Sequence, residues 1–541
     1  GDGLCILSLT DRPVRFVVYA EYFNKPVIGR MLKTMRAIPI SASGGPRMIL
    51  QAFREAGRAL DAGELVCIFP EGQLTRTGLI GPFQRGLTRI VRNRTTPILP
   101  IHLDRLYDSI FAPVSGRKIP NRLPFPVTVS VGEPLPPTAS LFQIRQAIRD
   151  LDYAAWAYRK EDCRPLHHGF VKQARRHPFR PALMDLQKPG LSYLRTLAAS
   201  LAIARRLRPE WEGQESVGIM LPASMGAAVL NLAAAFAGKT VVNLNFTAGR
   251  AGMESAARQA GLKTLITSQQ FLEKAKLEVP EGVELIFAED EMQALGRGDK
   301  LKALAMALLA PIPSLERYAG AARPVALDDP ATVIFSSGST GDPKGVVLTH
   351  YNIVADIESI RRMYRVLPHD RLASILPFFH SFGYTIGLWT ALVLGKTVVY
   401  HFNPLDARTI GKLCEEHGVT LVAGTPTFAR MYLKACRPDQ FKTLKHLILG
   451  AEKLKDECYR EIKATLNIEP MQGYGTTELS PVVSVNVPGD AALPDGRTIY
   501  ANRPGSVGLP VPGTSVKTVH PETGADLPPG ATGLICVKGP Q

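Results

Sequence analysis

Residues 332–350 read TVIFSSGSTGDPKGVVLTH. No other stretch limits the fold of this chain so tightly. An apolar run enters a loop of Ser, Gly and Thr, a Lys follows, and a second apolar run leaves. A flexible linker has no reason to be bracketed by two hydrophobic segments, so the spacing predicts strand, loop, strand. Gly338, Gly341 and Gly345 let the backbone approach an anion and take positive φ. Ser336, Ser337, Ser339 and Thr340 add hydroxyls, and Lys344 adds a point charge. Successive loop N–H groups can form an anion-binding nest. The GxxxxGK[ST] spacing of a P-loop is absent, and a strand follows where a P-loop has a helix. The segment reads as a phosphate-handling loop in an α/β layer.

A second stretch asks for a different explanation. CIFPEGQLTR at 67–76 reads as a buried strand ending in a Pro-Glu-Gly turn with a basic residue beyond it. The 541 residues exceed what one core holds, and roughly 150 residues per domain suggests three or four structural units. Hydrophobic content of 45% and charged content of 21% are ordinary for a soluble globular enzyme. The net charge of +16 is unevenly spread: residues 1–150 hold 20 Lys+Arg against 11 Asp+Glu, a net +9. That excess points to an anionic partner, whether membrane lipid, nucleotide or an acidic carrier protein. A solvated basic surface is the plain alternative. The seven cysteines are scattered with no CxxC, which argues against a disulfide framework and a zinc site. The chain opens GDGLCILSL, without a Met or a signal-peptide pattern, and ends LICVKGPQ, so it reads as cut from a longer protein. Residues 219–237 have the length of a membrane span, but Pro222, Ser224 and Asn231 interrupt them; a buried strand followed by a core helix fits better.

Short apolar strands are expected at 14–19, 65–69, 97–103 and 127–131, with helical patterns such as MILQAFREAGRALDAG between them. This alternation predicts an α/β domain over 1–160. A Pro-dense run over 113–137 and an amphipathic stretch to about Pro165 mark the boundary. A second α/β alternation then occupies 161–541, with a helical excursion at 290–325.

At this point the motifs identify families. SSGSTGDPKG at 336–345 resembles the phosphate loop of the adenylate-forming, acyl-activating enzymes. Further motifs follow in the order of that family. PFFHSFG at 377–383 resembles the segment whose His lines the acyl pocket, a place taken by His380. GAEKL at 450–454 resembles the loop that stacks on adenine, which implies Gly450, Ala451 and Glu452. GYGTTE at 473–478 resembles the segment that packs an aromatic on adenine, contacts the α-phosphate and holds Mg²⁺. Those roles would fall on Tyr474, Thr477 and Glu478, with Gly475 and Thr476 beside the nucleotide. GSVGLPVPG at 505–513 resembles the next turn. The resemblance implies ATP and Mg²⁺, with Lys344, Thr477 and Glu478 catalytic. It also implies a ribose-binding Asp, a hinge and a lid with a catalytic Lys, all beyond Gln541. The sequence therefore predicts poor adenylation by a chain ending there.

CIFPEG is similar to the FPEG block of glycerolipid acyltransferases of the lysophosphatidate type, and MLKTMRAIPIS at 31–41 and TPILPIHL at 96–103 sit where neighbouring blocks belong. The resemblance implies that Glu71, Gly72 and Arg76 hold a lipid phosphate. Arg76 stands two residues later than the basic residue of the commonest family form. That family's first block is H-x4-D. No His occurs before His102, so Asp2 fits the orienting carboxylate and the His would precede Gly1. His102 is expected to be structural or substrate-lining, and the chain as given is expected to lack its acyl-transfer base. Together the two domains resemble the bacterial bifunctional acyl-acyl-carrier-protein synthetases and 2-acylglycerophosphoethanolamine acyltransferases. That implies fatty-acid activation, loading onto acyl carrier protein, and transfer to a 2-acyl lysophospholipid. It implies the cytoplasmic face of a bacterial inner membrane and no nucleic acid. A long-chain fatty acid CoA ligase with an inactive acyltransferase-like domain stays open, as does a non-catalytic lipid-binding scaffold.

Overall fold

A computed structural model describes residues 2–41, 45–72, 75, 78–108, 125–186, 189–336, 342–364, 367–489, 491–492, 498–499 and 501–541. They form two compact units. One contains residues 1–161 together with 489–501 and 512–540; the other contains 162–488 and 502–511.

The first unit is built on a parallel three-stranded sheet with Val14–Tyr19 in the centre, Ile38–Ile40 on one side and Leu65–Cys67 on the other. The long helix Gly45–Asp61 buries Ala52, Ala56 and Ala59, small residues that let it lie close to the sheet. Strands Ile101–Asp104 and Thr128–Val131 pair antiparallel. The helix Leu141–Arg159 starts at a capping box in which Ser140 and Gln143 satisfy each other's backbone N–H groups. Arg159 donates to both oxygens of buried Asp104 at 2.5 Å, tying this helix to the 101–104 strand. The hairpin Ser515–Val519 and Leu534–Lys538 joins the same helix: Gln146 donates to Ser515 Oγ at 2.6 Å, and the Gly513 N–H to Asp152 at 2.9 Å.

The second unit carries two large sheets. In one, five parallel strands end in the antiparallel hairpin Pro330–Ser336 and Lys344–Thr349, the strand-loop-strand that the loop spacing predicts. Ser216–Ile219 is a strand and Met225–Phe236 a helix, so the apolar run at 219–237 divides as expected. No described helix is long and apolar enough to cross a membrane. The other sheet sets Arg371–Ser374 between Thr397–Tyr400 and Leu421–Gly424, all parallel; His446–Leu449 and Met471–Gly475 continue it. The chain adds a strand to one side of Arg371–Ser374, then crosses to the other. Connections therefore diverge at the carboxyl end of this strand, where open α/β sheets place their ligand crevice. The helical excursion is two helices, Arg297–Leu309 and Ile312–Ala319.

Candidate functional site

The motifs of the second unit come together at strand ends. PFFHSFG follows Arg371–Ser374, GAEKL follows His446–Leu449, and GYGTTE closes Met471–Gly475. Gly450 lies where motifs meet: a Cβ there would be in ordinary contact with the Phe382 ring at 3.4 Å and the Gly473 carbonyl at 3.7 Å. One residue thus packs three motifs against one another. The turn Thr477–Leu479 lies against the Lys344–Thr349 strand, bringing the phosphate hairpin to the same place.

Each exposed functional group has a local cause. Lys344 faces Ser336 across the hairpin and is exposed. Ser337, Gly338, Ser339, Thr340 and Gly341 lie outside the described residues. Gly345 packs under Val333 and Phe335, which a Cβ would meet at 3.0 and 3.1 Å. Tyr474 is 37% exposed at the strand end, an aromatic face turned to solvent. Gly475 passes so close to the Pro481 carbonyl that no Cβ fits, and this fixes the bend leading through Thr476 and Thr477 to Glu478. Glu478 is an exposed carboxylate. Ala451 holds positive φ (+65°), and Glu452 accepts from the Thr427 hydroxyl at 2.6 Å. His380 begins the turn before an eight-residue π-helix, Gly383–Thr390; its ring lies 4.7 Å from that of Phe379, which meets Phe246 edge-on. π-turns of this kind concentrate at functional sites.

In the first unit Glu71 follows the Leu65–Cys67 strand. Its Oε2 accepts the Gly81 N–H at 2.7 Å. Burial raises its pKa; the Gly81 bond and the Arg145 charge oppose that, and the Asp2 charge adds to it. Asp2 and Arg145 are thus electrostatic neighbours of the FPEG turn. Asp2 opens the short helix Asp2–Leu7. Arg145 donates to the Ile80 carbonyl at 2.9 Å and leaves its buried Nε without a partner. Burial, Arg145 and the opposing Asp152 leave Arg149 at about 10. Gly72 holds positive φ (+69°), and Arg76 lies outside the described residues. His102 sits on the Ile101–Asp104 strand, 3.7 Å from Asp152, with a buried unpartnered Nδ1.

Sequence reasoning missed three features. Arg145 and Arg149 stand one turn apart on a half-buried helix, a spacing that was readable. Asp356 is fully buried beside the strand Val482–Val485 that follows GYGTTE; burial pushes it well above the carboxylate range, against one long bond from Val482 N–H at 3.4 Å. His167 and His168 both meet Glu316 Oε1 at 2.8 Å. This cluster has the residue types of a metal site. Both imidazoles spend Nε2 on the same carboxylate oxygen inside the core, so the cluster reads as a buried hydrogen-bonded knot.

A phosphate hairpin, an exposed aromatic and an exposed carboxylate gathered at adjoining strand ends define a nucleotide-using α/β enzyme. The chain belongs to the AMP-binding enzyme family, whose model matches residues 170–541. The Acyltransferase family model matches residues 2–104. A mitochondrial medium-chain acyl-CoA ligase of Danio rerio is 34% identical over 220 residues, 39% of this chain and 34% of the relative. A long-chain-fatty-acid–CoA ligase of Bacillus subtilis is 32% identical over 220 residues, 39% of this chain and 37% of the relative. The alignments thus span about a third of the length of these curated relatives. Apo MatB from Rhodopseudomonas palustris superposes with TM-score 0.55 at 24% identity, covering 70% of each chain. O-succinylbenzoate coenzyme A synthetase of Bacillus subtilis in complex with AMP gives 0.56 at 20%, again over 70% of each. These likenesses establish a shared fold.

Proposed function

We propose that the protein activates a fatty acid with ATP, loads it onto the thiol of acyl carrier protein, and transfers the acyl group to a 2-acyl lysophospholipid such as lysophosphatidylethanolamine. The observation that carries the reading is the presence of both families on one chain, one that makes activated acyl groups and one that transfers them. In the first step a carboxylate oxygen bonds to the α-phosphorus and pyrophosphate leaves. The thiol sulfur then bonds to the acyl carbon and AMP leaves. In the last step the lysolipid hydroxyl takes the acyl carbon and releases the thiol.

The residues present fit the nucleotide: an exposed aromatic (Tyr474), a cation (Lys344) and a carboxylate (Glu478) lie at adjoining strand ends. Tyr474 and Gly450 to Glu452 hold adenine, the 336–345 loop and Lys344 the phosphates, Thr477 the α-phosphate with Gly475 and Thr476 beside the nucleotide, and His380 the edge of the acyl pocket. Glu478 is an exposed carboxylate, which suits Mg²⁺, an ion that takes most of its shell from phosphate and water. When bound, Mg²⁺ neutralises charge building on the leaving pyrophosphate. In the first unit Glu71, Gly72 and Arg76 position the lipid phosphate, and Asp2 orients the base that takes the hydroxyl proton. We place the protein at the cytoplasmic face of a bacterial inner membrane.

The names of the matched relatives favour a second reading, a long-chain fatty acid CoA ligase. Labelled fatty acid and ATP, supplied to the whole protein with holo acyl carrier protein or with CoA, separate the two. Acyl carrier protein labelling, followed by label in diacyl phospholipid once lysophosphatidylethanolamine is added, supports the first reading. Labelling of CoA alone, with no lipid product, overturns it.

A further inference from the structure

Between Glu21 and Glu55 the chain has no acidic residue, and it carries Lys25, Arg30, Lys33, Arg36, Arg47 and Arg54. The helix Pro26–Thr34 lies in this stretch. Its inner face buries Gly29 and Leu32, and Gly29 is pressed so close to the Phe23 carbonyl that no Cβ fits. Its outer face is apolar where a solvated helix would be polar. Val27 is 82% exposed, Ile28 39% and Met31 46%, while Lys25, Arg30 and Lys33 are exposed around them. Single exposed hydrophobes are ordinary; three within about one turn, beside three exposed cations and with Glu21 of the adjoining turn as the acidic neighbour, mark an interaction surface.

The place of this helix in the sheet is equally specific. It follows Val14–Tyr19, and Glu71 follows Leu65–Cys67. Those strands are parallel, so both segments leave the sheet at its carboxyl edge. The first turn of the helix, with Val27 and Ile28, therefore belongs to the same edge as the FPEG turn. Phe69, also at that edge, is 40% exposed.

We infer that this face docks the acyltransferase unit on an anionic lipid bilayer, with Val27, Ile28 and Met31 entering the headgroup–acyl boundary and Lys25, Arg30 and Lys33 meeting lipid phosphates. Charge complementarity selects the occupant: Lys25, Arg30 and Lys33 against the single carboxylate of Glu21 leave a cationic excess that suits a surface of diffuse negative charge. Long basic side chains keep their heads at the phosphates while their stems cover the apolar residues. A helix this short can only lie in the interface. The inference rests on the proposed function only in taking the acyl acceptor from a bilayer.

The test is co-sedimentation of the chain with vesicles of phosphatidylglycerol in phosphatidylcholine and with phosphatidylcholine alone. Binding is expected to need phosphatidylglycerol and to weaken in salt. Neutralising Lys25, Arg30 and Lys33 to Gln is expected to weaken it about a hundredfold. Val27→Asp with Met31→Asp is expected to weaken it about tenfold or more. Unchanged melting confirms that these variants fold; if the acidic pair melts early, Val27→Ser with Met31→Gln takes its place with the same expected loss. Wild-type binding that ignores phosphatidylglycerol, variant binding equal to wild type, or self-association through this face without vesicle binding overturns the inference. Vesicle binding is read without catalysis, so an absent lysolipid transfer would sink the proposed function and leave docking standing.

Discussion

At Glu71 burial and hydrogen bonding pull in opposite directions. Removal from water raises its pKa, while the Gly81 N–H and Arg145 favour the ionised form. A carboxyl whose native pKa is raised binds more protons folded than unfolded, so its contribution to stability falls as pH climbs past the ordinary carboxylate value. Glu71→Gln keeps the oxygen that Gly81 needs and removes the charge. It is therefore expected to melt slightly higher at neutral pH, while in assays of the whole protein acyl transfer to lysolipid falls by about 10²-fold and fatty-acid adenylation is unchanged. Parallel melting curves and the two activity assays check this. Glu478 makes the contrasting case, an exposed carboxylate with no fold to support. Glu478→Gln is expected to leave melting unchanged and to lower pyrophosphate exchange about 10- to 100-fold, with partial recovery at high Mg²⁺. Unchanged exchange at limiting Mg²⁺ would remove its proposed role. Both residues were legible because each sits inside a local strand-end turn whose neighbours spell the motif. Arg145 and Asp356 were not. Arg145 faces the FPEG turn and Asp356 the strand after GYGTTE from helices far along the chain, and local patterning carries no record of such contacts.

Among elements, the parallel strand at 14–19 was readable as an apolar run, while Arg371–Ser374, a short strand with polar residues at both ends, was not. The strand expected at 97–103 begins only at Ile101, because Pro97 and Pro100 supply no N–H to a ladder. What ties elements together is carried by buried polar pairs that hydropathy does not show. Asp104 on a strand and Arg159 on a helix form a bidentate pair. Asp104→Ala is expected to cost about 3–5 kcal/mol by leaving a guanidinium without its counter-charge, measured by urea unfolding. Three helices of the second unit meet at His167, Glu316 and His350. Burial holds His167 at about 4 and His350 at about 3. An unfolded His titrates near 6.5. Between about pH 6.5 and 4 the unfolded chain therefore binds more protons, and stability drops as pH falls through that window. Each buried His adds up to about 1.4 kcal/mol per pH unit to the slope. His350→Asn is expected to flatten the fall. An unchanged slope would mean that another group titrates there.

On the scale of the whole molecule, the first compact unit is not continuous in sequence. Residues 1–161 are completed by 489–501 and 512–540, which lie far downstream. The local alternation of strands and helices reads each stretch but cannot say which distant stretch it joins. The 515–538 hairpin supplies partners that the helix Leu141–Arg159 cannot find in its own segment. The Gly513 N–H reaches Asp152, Ser515 bridges Gln146 and Asp150, and Lys538 lies 4.6 Å over the Tyr153 ring. Gly513 holds positive φ (+82°) against buried Trp156, where a Cβ would overlap the indole. Gly513→Ala therefore meets both a strained backbone and a filled space, and an expected loss of about 1–3 kcal/mol follows. A fragment of residues 1–161 is expected to expose Trp156 and to lose the Gly513 N–H that Asp152 accepts. It should melt earlier than the unit within the chain and show red-shifted tryptophan emission. Joining residues 512–540 to it through a flexible Gly/Ser linker is expected to restore both. If the bare fragment melts as the full chain's first unit does, the hairpin is a passenger on that unit and not part of its fold.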